Sequence, residues 1–363
     1  MWLTTILRQL TDTFAGFLPT ARYLTAVALV SYLLLDRSHS WYPAHHQTFV
    51  LVQGTHTPQV IRHARRTKRF NRSGGWRVFC LPSFLAAARL TWSLGSKKAL
   101  MSVIHSDIES LLARIATQSD ADIPAEFLPR LSVTAVGTAA HLDFYGEPFS
   151  EAFTDLLETL SKPDVAACVQ SLTLRGPDEG ANGTKNWNIE PLLANDVAFP
   201  QLDSFTIQLA QPGDHNRSIV ADTYDEDGVI ARLVKQSPQI RHLTVPSAPN
   251  AEFFKTGIRP LQFLSVDAGY NTQEFISNLS VSDSFPELRC LEWGEYNETY
   301  MENWQTSCTP FADYDRLFRS AAFASVKRFV WRNPVCSAQQ INELKGFRPD
   351  LQLLVVRYES EYV

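Results

Sequence analysis

The chain has 363 residues, of which 45% are hydrophobic and 20% are charged, so it can bury a core and disorder is not the default. Five cysteines stand far apart with no CxxC pair, which argues against zinc ribbons, thioredoxin-like sites and a disulfide framework. Residues 1–106 hold 13 Lys and Arg against two acids, whereas the rest holds 20 against 36. We therefore expect two parts with different environments or partners, and reduced thiols in a cytoplasmic protein.

Residues 1–105 are predicted to form a basic region that is helical or partly disordered. Its longest apolar run, residues 23–35, has 13 residues, fewer than the roughly 17 to 25 that a membrane-spanning helix needs. No small-residue cleavage site follows it, so a signal peptide is poorly supported. We expect a buried or partner-binding helix there, with membrane contact as the alternative. Whether the acid-free stretch 37–106 is a natural domain stays open.

Residues 61–77 hold seven Lys and Arg residues and no acid. Nucleic acid or an anionic membrane surface would suit such a segment. A flexible solvated linker is the plainer interpretation, because only Phe70 and Trp76 accompany the basic residues as stacking candidates.

Residues 106–138 are predicted to form a cap made of a helix and a loop. Such a cap would cover the first open end of the repeats that follow, which occupy residues 139–363.

A phrase of the form apolar-x-x-apolar-x-apolar recurs eight times along the C-terminal part. One copy has Leu288, Leu291 and Trp293. The copies begin at residues 139, 169, 202, 240, 261, 288, 326 and 351. The last copy has Leu351, Leu354 and Val356. The spacing suits a turn that runs into a short strand with two inward side chains.

Helical patterns separate these strands. Ser150 is a good N-cap for an amphipathic helix, Pro238 ends another, and Ser337 and Gln340 form a possible capping box. Gly346 can close that last helix. Alternation of strand and helix predicts parallel strands with helices covering one side.

The phrase resembles the LxxLxL repeat of leucine-rich-repeat proteins of the ribonuclease-inhibitor-like kind. The resemblance implies a right-handed α/β solenoid, with parallel strands on the concave face and helices on the convex face. The Asn or Cys that the family carries three positions after the last apolar residue is missing, and several steps between copies exceed the usual length. A doubly wound α/β sheet is the competing fold. Its buried strands would, however, contain longer uninterrupted runs of apolar residues than the strands predicted here.

No motif for catalysis, for a cofactor or for a metal is found. HExxH, GxxxxGK[ST], GxGxxG and GxSxG are absent, and His45 and His46 have no ligand partner nearby. A calcium loop with Gly228 at its sixth position would begin at Thr223 and end at Val234, where acids are required, so residues 222–228 are interpreted as an acidic helix-start turn. We therefore predict no catalytic, cofactor-binding or metal-binding residue and no small-molecule substrate.

Side chains between the inward residues are expected to face solvent on the concave side. The candidate partner-binding residues there are Arg175, Gln208, His242, Asp267, Glu292, Arg328, Arg332 and Arg357. Three of the arginines surround Val330, Leu353 and Val355, which together suit a protein contact. Coverage by the C-terminal tail is the alternative.

The resemblance implies a non-enzymatic, cytoplasmic scaffold that binds a protein partner on its concave face. One alternative is an adaptor whose N-terminal helices recruit a second protein, a ubiquitin-ligase component if the source is eukaryotic. Another is an enzyme on a doubly wound sheet, in which acids or histidines would converge in one pocket at the strand C-termini.

Overall fold

A nine-stranded, mostly parallel sheet organises the part of the chain that the structure describes. The computed structural model describes residues 105–118, 123–180, 183–221, 226–296 and 303–358. The strands are β1 (Arg130–Val136), β2 (Ala139–Tyr145), β3 (Val169–Arg175), β4 (Gly183–Asn186), β5 (Ser204–Ile207), β6 (Asn216–Ile219), β7 (His242–Val245), β8 (Phe263–Asp267), β9 (Cys290–Gly294), β10 (Arg328–Arg332) and β11 (Gln352–Val356). Strands β4 and β6 form a separate parallel pair, and the other nine form the large sheet.

Strand order in the large sheet follows chain order from β1 to β11. Strand β1 pairs antiparallel with β2, and each later strand pairs parallel with its predecessor in that order. The described strands therefore lack the reversal of order that creates the switch point of a doubly wound sheet.

Six α-helices lie between the described strands, and a seventh precedes β1. They are α1 (Ser106–Thr117), α2 (Glu151–Leu160), α3 (Pro163–Ala166), α4 (Val229–Gln236), α5 (Phe275–Ser280), α6 (Phe311–Arg319) and α7 (Ala338–Phe347). After β4 and β7, the connection to the next strand contains a short 3₁₀ segment and no α-helix; these segments are Glu190–Asp196 and Ala251–Lys255. Neighbours along the chain contact one another, so these segments form a second layer.

The helix starts follow local capping chemistry. The Ser150 hydroxyl accepts from the backbone N–H of Phe153 at 3.2 Å, and Ser337 and Gln340 form the predicted capping box of α7. The buried Glu226 carboxylate accepts from the backbone N–H groups of Gly228 and Ile230 at the start of α4, and from that of Asn250 at the start of the 3₁₀ segment Ala251–Lys255. Of the acidic turn predicted at residues 222–228, residues 226–228 are described and directly precede α4, and the others lie outside the described residues.

The two faces of the large sheet differ in polarity. On the core face, each strand of the large sheet from β2 to β10 buries at least two side chains, as with Leu291 and Trp293 on β9 or Phe329 and Trp331 on β10. They form one hydrophobic cluster with the buried sides of the helices. We call the opposite side the polar face, because side chains such as Thr206, Thr244 and Glu292 alternate with the core positions there.

The sequence predicted the mixed α/β architecture, the parallel strands β2, β3, β5 and β7 to β10, and most of the helices between them. It did not predict β1, β4, β6, α3 or α6. Strands β4 and β6 have only four residues each and carry mainly polar side chains, so they lack the apolar alternation on which the prediction relied.

Two local predictions near the C-terminus were wrong. Strand β11 is one residue out of the predicted register: Leu353 and Val355 pair with Phe329 and Trp331, and Leu354 is 43% exposed. Gly346 lies inside α7, which continues to Phe347. In both places a shift of one residue costs little, because among the described strands β11 has a neighbour on one side only, and because an exposed helical glycine is tolerated.

No helix among the described residues is long and apolar enough to cross a membrane. The predicted basic region, its apolar run 23–35 and its basic run 61–77 lie outside the described residues, apart from His105. Predictions on those segments are therefore unaffected.

Candidate binding cleft

A cleft of about 360 Å³ opens on the polar face, near the C-terminal ends of strands β5 and β7 to β10. Side chains from the sheet form its floor, including Thr206, Thr244, Ser265 and Glu292. Strand β6 forms one wall and Tyr358, just after β11, lies at another. We call this site the polar-face cleft.

Three charged side chains meet at one end of the polar-face cleft. Arg332 Nη2 donates to Asp267 Oδ1 at 2.9 Å, and Nε reaches the same oxygen at 3.2 Å. Nη1 donates to Glu292 Oε2 at 3.2 Å, and Nη2 also donates to the Val266 carbonyl at 3.3 Å. We call Asp267, Glu292 and Arg332 the charged cluster.

Gly294 makes this geometry possible. Asp267 on β8 and Arg332 on β10 both pair in register with Gly294 on the intervening strand β9. A Cβ at Gly294 would lie 2.0 Å from Asp267 Oδ1 and 3.2 Å from Arg332 Nε. The absence of a side chain therefore lets an ion pair cross over one whole strand.

The charged cluster is shielded from solvent. The Arg332 side chain is 10% exposed, and those of Asp267 and Glu292 are 24% and 21% exposed. Burial by itself would lower the pKa of Arg332, but the two carboxylates outweigh it and raise that pKa. Burial also raises the pKa of the nearby Tyr358 hydroxyl, which therefore stays protonated at neutral pH. Arg332 is consequently a permanent cation between two acids.

The wall formed by β6 carries a second buried arginine. Arg217 lies 5.2 Å from the ring centre of Tyr270 and 5.5 Å from that of Tyr296, within cation–π range. The Tyr270 hydroxyl is 2.6 Å from that of Thr184 on β4. The small β4–β6 sheet is therefore fastened to the loops that follow β8 and β9.

A hydrogen-bond network under the cleft connects it to the core. Glu295, which lines the cleft, accepts from Trp293 Nε1 at 2.9 Å, from the Thr309 N–H at 3.2 Å and from the Tyr314 hydroxyl. Trp331 Nε1 donates to the same Tyr314 oxygen at 3.1 Å. These buried bonds hold the cleft floor in a fixed position.

The eight predicted partner-binding residues have different surroundings. Gln208, Asp267, Glu292 and Arg332 all line the polar-face cleft. The other four are Arg175, which pairs with Asp143; His242, which lies near Asp203 and Phe263; Arg328, which is exposed; and Arg357, which donates to the Cys336 carbonyl. The structure thus gathers four of them and leaves four apart.

Sequence reasoning missed Arg217, Ser218 and Tyr358, because they lie outside the repeated phrase. It also missed the pairing inside the charged cluster. Aligning the repeats would have indicated that pairing, since Asp267, Gly294 and Arg332 each directly follow the last apolar residue of consecutive copies.

Among the described residues, no group of three or more His, Cys, Asp or Glu side chains is arranged to hold a metal ion. The four described cysteines, Cys168, Cys290, Cys308 and Cys336, are free thiols. Burial raises the pKa of each, to about 11 for Cys336, so the thiols are protonated at neutral pH.

Comparisons with known proteins do not assign this chain to a family. No protein-family model, no curated protein and no solved structure matches it. The leucine-rich-repeat resemblance therefore stays a prediction that rests on the repeated phrase.

Proposed function

We propose that the chain is a non-enzymatic scaffold that binds a protein partner on the polar face of a leucine-rich-repeat-like solenoid. The observation that carries this proposal is a cleft spread over five parallel strands on the polar face of the large sheet. A cytoplasmic location belongs to the same proposal and follows from the cysteine pattern alone.

The strand order supports the solenoid part of the proposal. Stacked repeats place each strand beside the next one along the chain, and β2 to β11 of the large sheet follow that order. The repeated phrase supplies two buried core-face residues to each strand of the large sheet from β2 to β10. Each unit then buries its apolar side against the next unit.

The character of the polar face supports the binding part. Thr206, Thr244 and Phe263 present partly exposed side chains from strands whose other face is buried in the core. Rigid strands hold such groups in place, so binding a partner costs little ordering of the scaffold. A partner segment that crosses the strands would meet several of these side chains at once.

An enzyme is the second candidate, because two carboxylates, Asp267 and Glu292, converge in one cleft as such a site requires. Both of them are engaged by Arg332, however, and the described strands have no switch point. An adaptor with N-terminal recruiting helices is compatible with the scaffold, and its second site would lie outside the described residues.

Site-specific photocrosslinking of the full chain tests the scaffold proposal. A benzophenone amino acid would replace His242 or Arg328, which are exposed on the polar face, and Glu158 on α2 or Gln339 on α7 as controls. We expect the same protein partner to be captured from both polar-face positions. Purified partner should then bind the wild-type chain with measurable affinity by calorimetry.

Capture from the helix positions alone would contradict the proposal, since the partner would then contact the other layer. Polar-face positions that yield no protein adduct would favour the enzyme candidate, for which a small molecule occupies the cleft.

A further inference from the structure

The charged cluster has a surplus of negative charge. Two carboxylates surround one guanidinium, which leaves a net charge of −1 in a site shielded from solvent. Arg332 binds one oxygen of each acid, so Asp267 Oδ2 and Glu292 Oε1 accept no hydrogen bond from the described residues. Each free carboxylate oxygen can accept from a donor that a ligand brings.

Arg332 has little capacity for an anion. Four hydrogen bonds already leave its guanidinium, to Asp267 twice, to Glu292 and to the Val266 carbonyl. A guanidinium has five N–H donors, so one remains. An anionic ligand would also face two carboxylates at this end of the cleft, whereas a cationic one would be attracted by both.

The rest of the cleft suits a long side chain on an extended segment. Phe263 and Pro246 offer apolar surface in the same cleft as the two acids. Away from the charged cluster, Thr206, Gln208 and Thr244 offer uncharged polar groups that can bond a peptide backbone. Lys and Arg pack their aliphatic stems on apolar surface while their charged ends pair with acids.

Long-range electrostatics favour the same kind of ligand. Residues 107–363 contain 20 Lys and Arg against 36 Asp and Glu. A strongly acidic part of the chain raises the local concentration of basic segments and accelerates their association.

We propose that the polar-face cleft recognises an extended basic segment of the protein partner, with one Arg or Lys side chain bound between Asp267 and Glu292. This inference rests on the proposed function and names the chemistry of its partner. Arg332 positions the two carboxylates and is not itself the contact.

Fluorescence anisotropy of the full chain with labelled hexa-arginine and labelled hexaglutamate tests the inference. We expect hexa-arginine to bind, more weakly as salt rises, and hexaglutamate not to bind. Glu292→Gln and Asp267→Asn should each weaken hexa-arginine binding about tenfold. The matched controls are Glu343→Gln on α7 and Asp283→Asn before β9, both exposed acids away from the cleft, and each should change affinity less than twofold.

Thermal unfolding of every variant separates loss of binding from loss of structure. If the folded cleft variants bind as tightly as wild type, or if the control variants lose as much affinity, the basic-segment inference is wrong.

The two proposals fail differently. Polar-face crosslinks to a protein whose binding ignores Glu292→Gln would overturn the basic-segment inference and leave the scaffold intact. Preferred binding of hexaglutamate would overturn the inference in the same way. Absence of polar-face crosslinks would remove the scaffold itself.

Discussion

Two ion-pair arrangements on the polar face join the same side-chain types in different settings. Near the N-terminal end of the sheet, Arg175 on β3 makes two bonds of 2.8 Å to Asp143 on the adjacent strand β2, and its side chain is 47% exposed. In the charged cluster, Arg332 reaches across a whole strand and is 10% exposed. The better bond geometry thus belongs to the more exposed pair.

The difference shows that distance alone does not rank ion pairs. Water screens the Asp143–Arg175 pair and competes for its donors, so its net contribution to stability is small. Asp267 and Glu292 have given up much of their hydration, so losing Arg332 would leave two poorly solvated acids beside each other. Loss of Arg332 is consequently expected to disturb the structure of the cleft, whereas loss of the exposed Asp143–Arg175 pair is expected to change stability only slightly.

The largest expected effect comes from removing the arginine of the charged cluster. Arg332→Ala should lower the free energy of unfolding by about 3–5 kcal/mol, because it leaves two shielded carboxylates unpaired. Urea denaturation followed by circular dichroism measures the change. Arg328→Ala, an exposed arginine on the same strand, is the control and should change stability by less than about 0.5 kcal/mol. Equal effects of the two variants would contradict the assignment.

A smaller loss of stability is expected from a substitution on β9, the strand that lies between Asp267 and Arg332. Gly294→Ala should destabilise by about 1–3 kcal/mol, since its methyl group would overlap Asp267 Oδ1 and force the pair apart. Gly346→Ala is the matched control: it lies in α7 with open space around its Cα, and should stabilise by about 0.5–1 kcal/mol. A neutral Gly294→Ala would show that the crossing is not required.

The smallest effect concerns the exposed pair. Arg175→Ala should cost no more than about 1 kcal/mol, and the coupling to Asp143→Ala in a double-mutant cycle should be roughly 0.2–1 kcal/mol. High salt should reduce that coupling further, because both side chains contact solvent. A coupling as large as the cost of Arg332→Ala would remove the distinction between the two arrangements.

Much of the fold followed from the sequence because one physical rule repeats. Every strand from β2 to β10 in the large sheet must bury two side chains, and the phrase that encodes this requirement could be found by its spacing. Strands β4 and β6 escape the rule, since a two-stranded pair of polar segments has no apolar pattern to reveal it. The shifted register of β11 escaped for a related reason: four consecutive apolar residues, Leu353 to Val356, fit either face.

The cleft was less predictable than the fold. The repeated phrase predicted that Asp267, Glu292 and Arg332 lie on the polar face. All three were expected to contact a partner, and not one another. Their mutual pairing depends on which strands are neighbours and on a glycine between them, which only the strand order supplies. Strand β6, which forms one wall of the cleft, lies in an insertion between β5 and α4. This insertion contains no copy of the repeated phrase, so the sequence pattern did not predict the strand.

The crossing over Gly294 also bears on cooperativity. In the stack of repeated units that we propose, stability would be the sum of each unit and its contacts with the two adjacent ones. The Asp267–Arg332 bond links strands that are not adjacent, so it adds a next-nearest-neighbour coupling to that sum. We therefore expect strands β8, β9 and β10 to open together as one unit in hydrogen exchange.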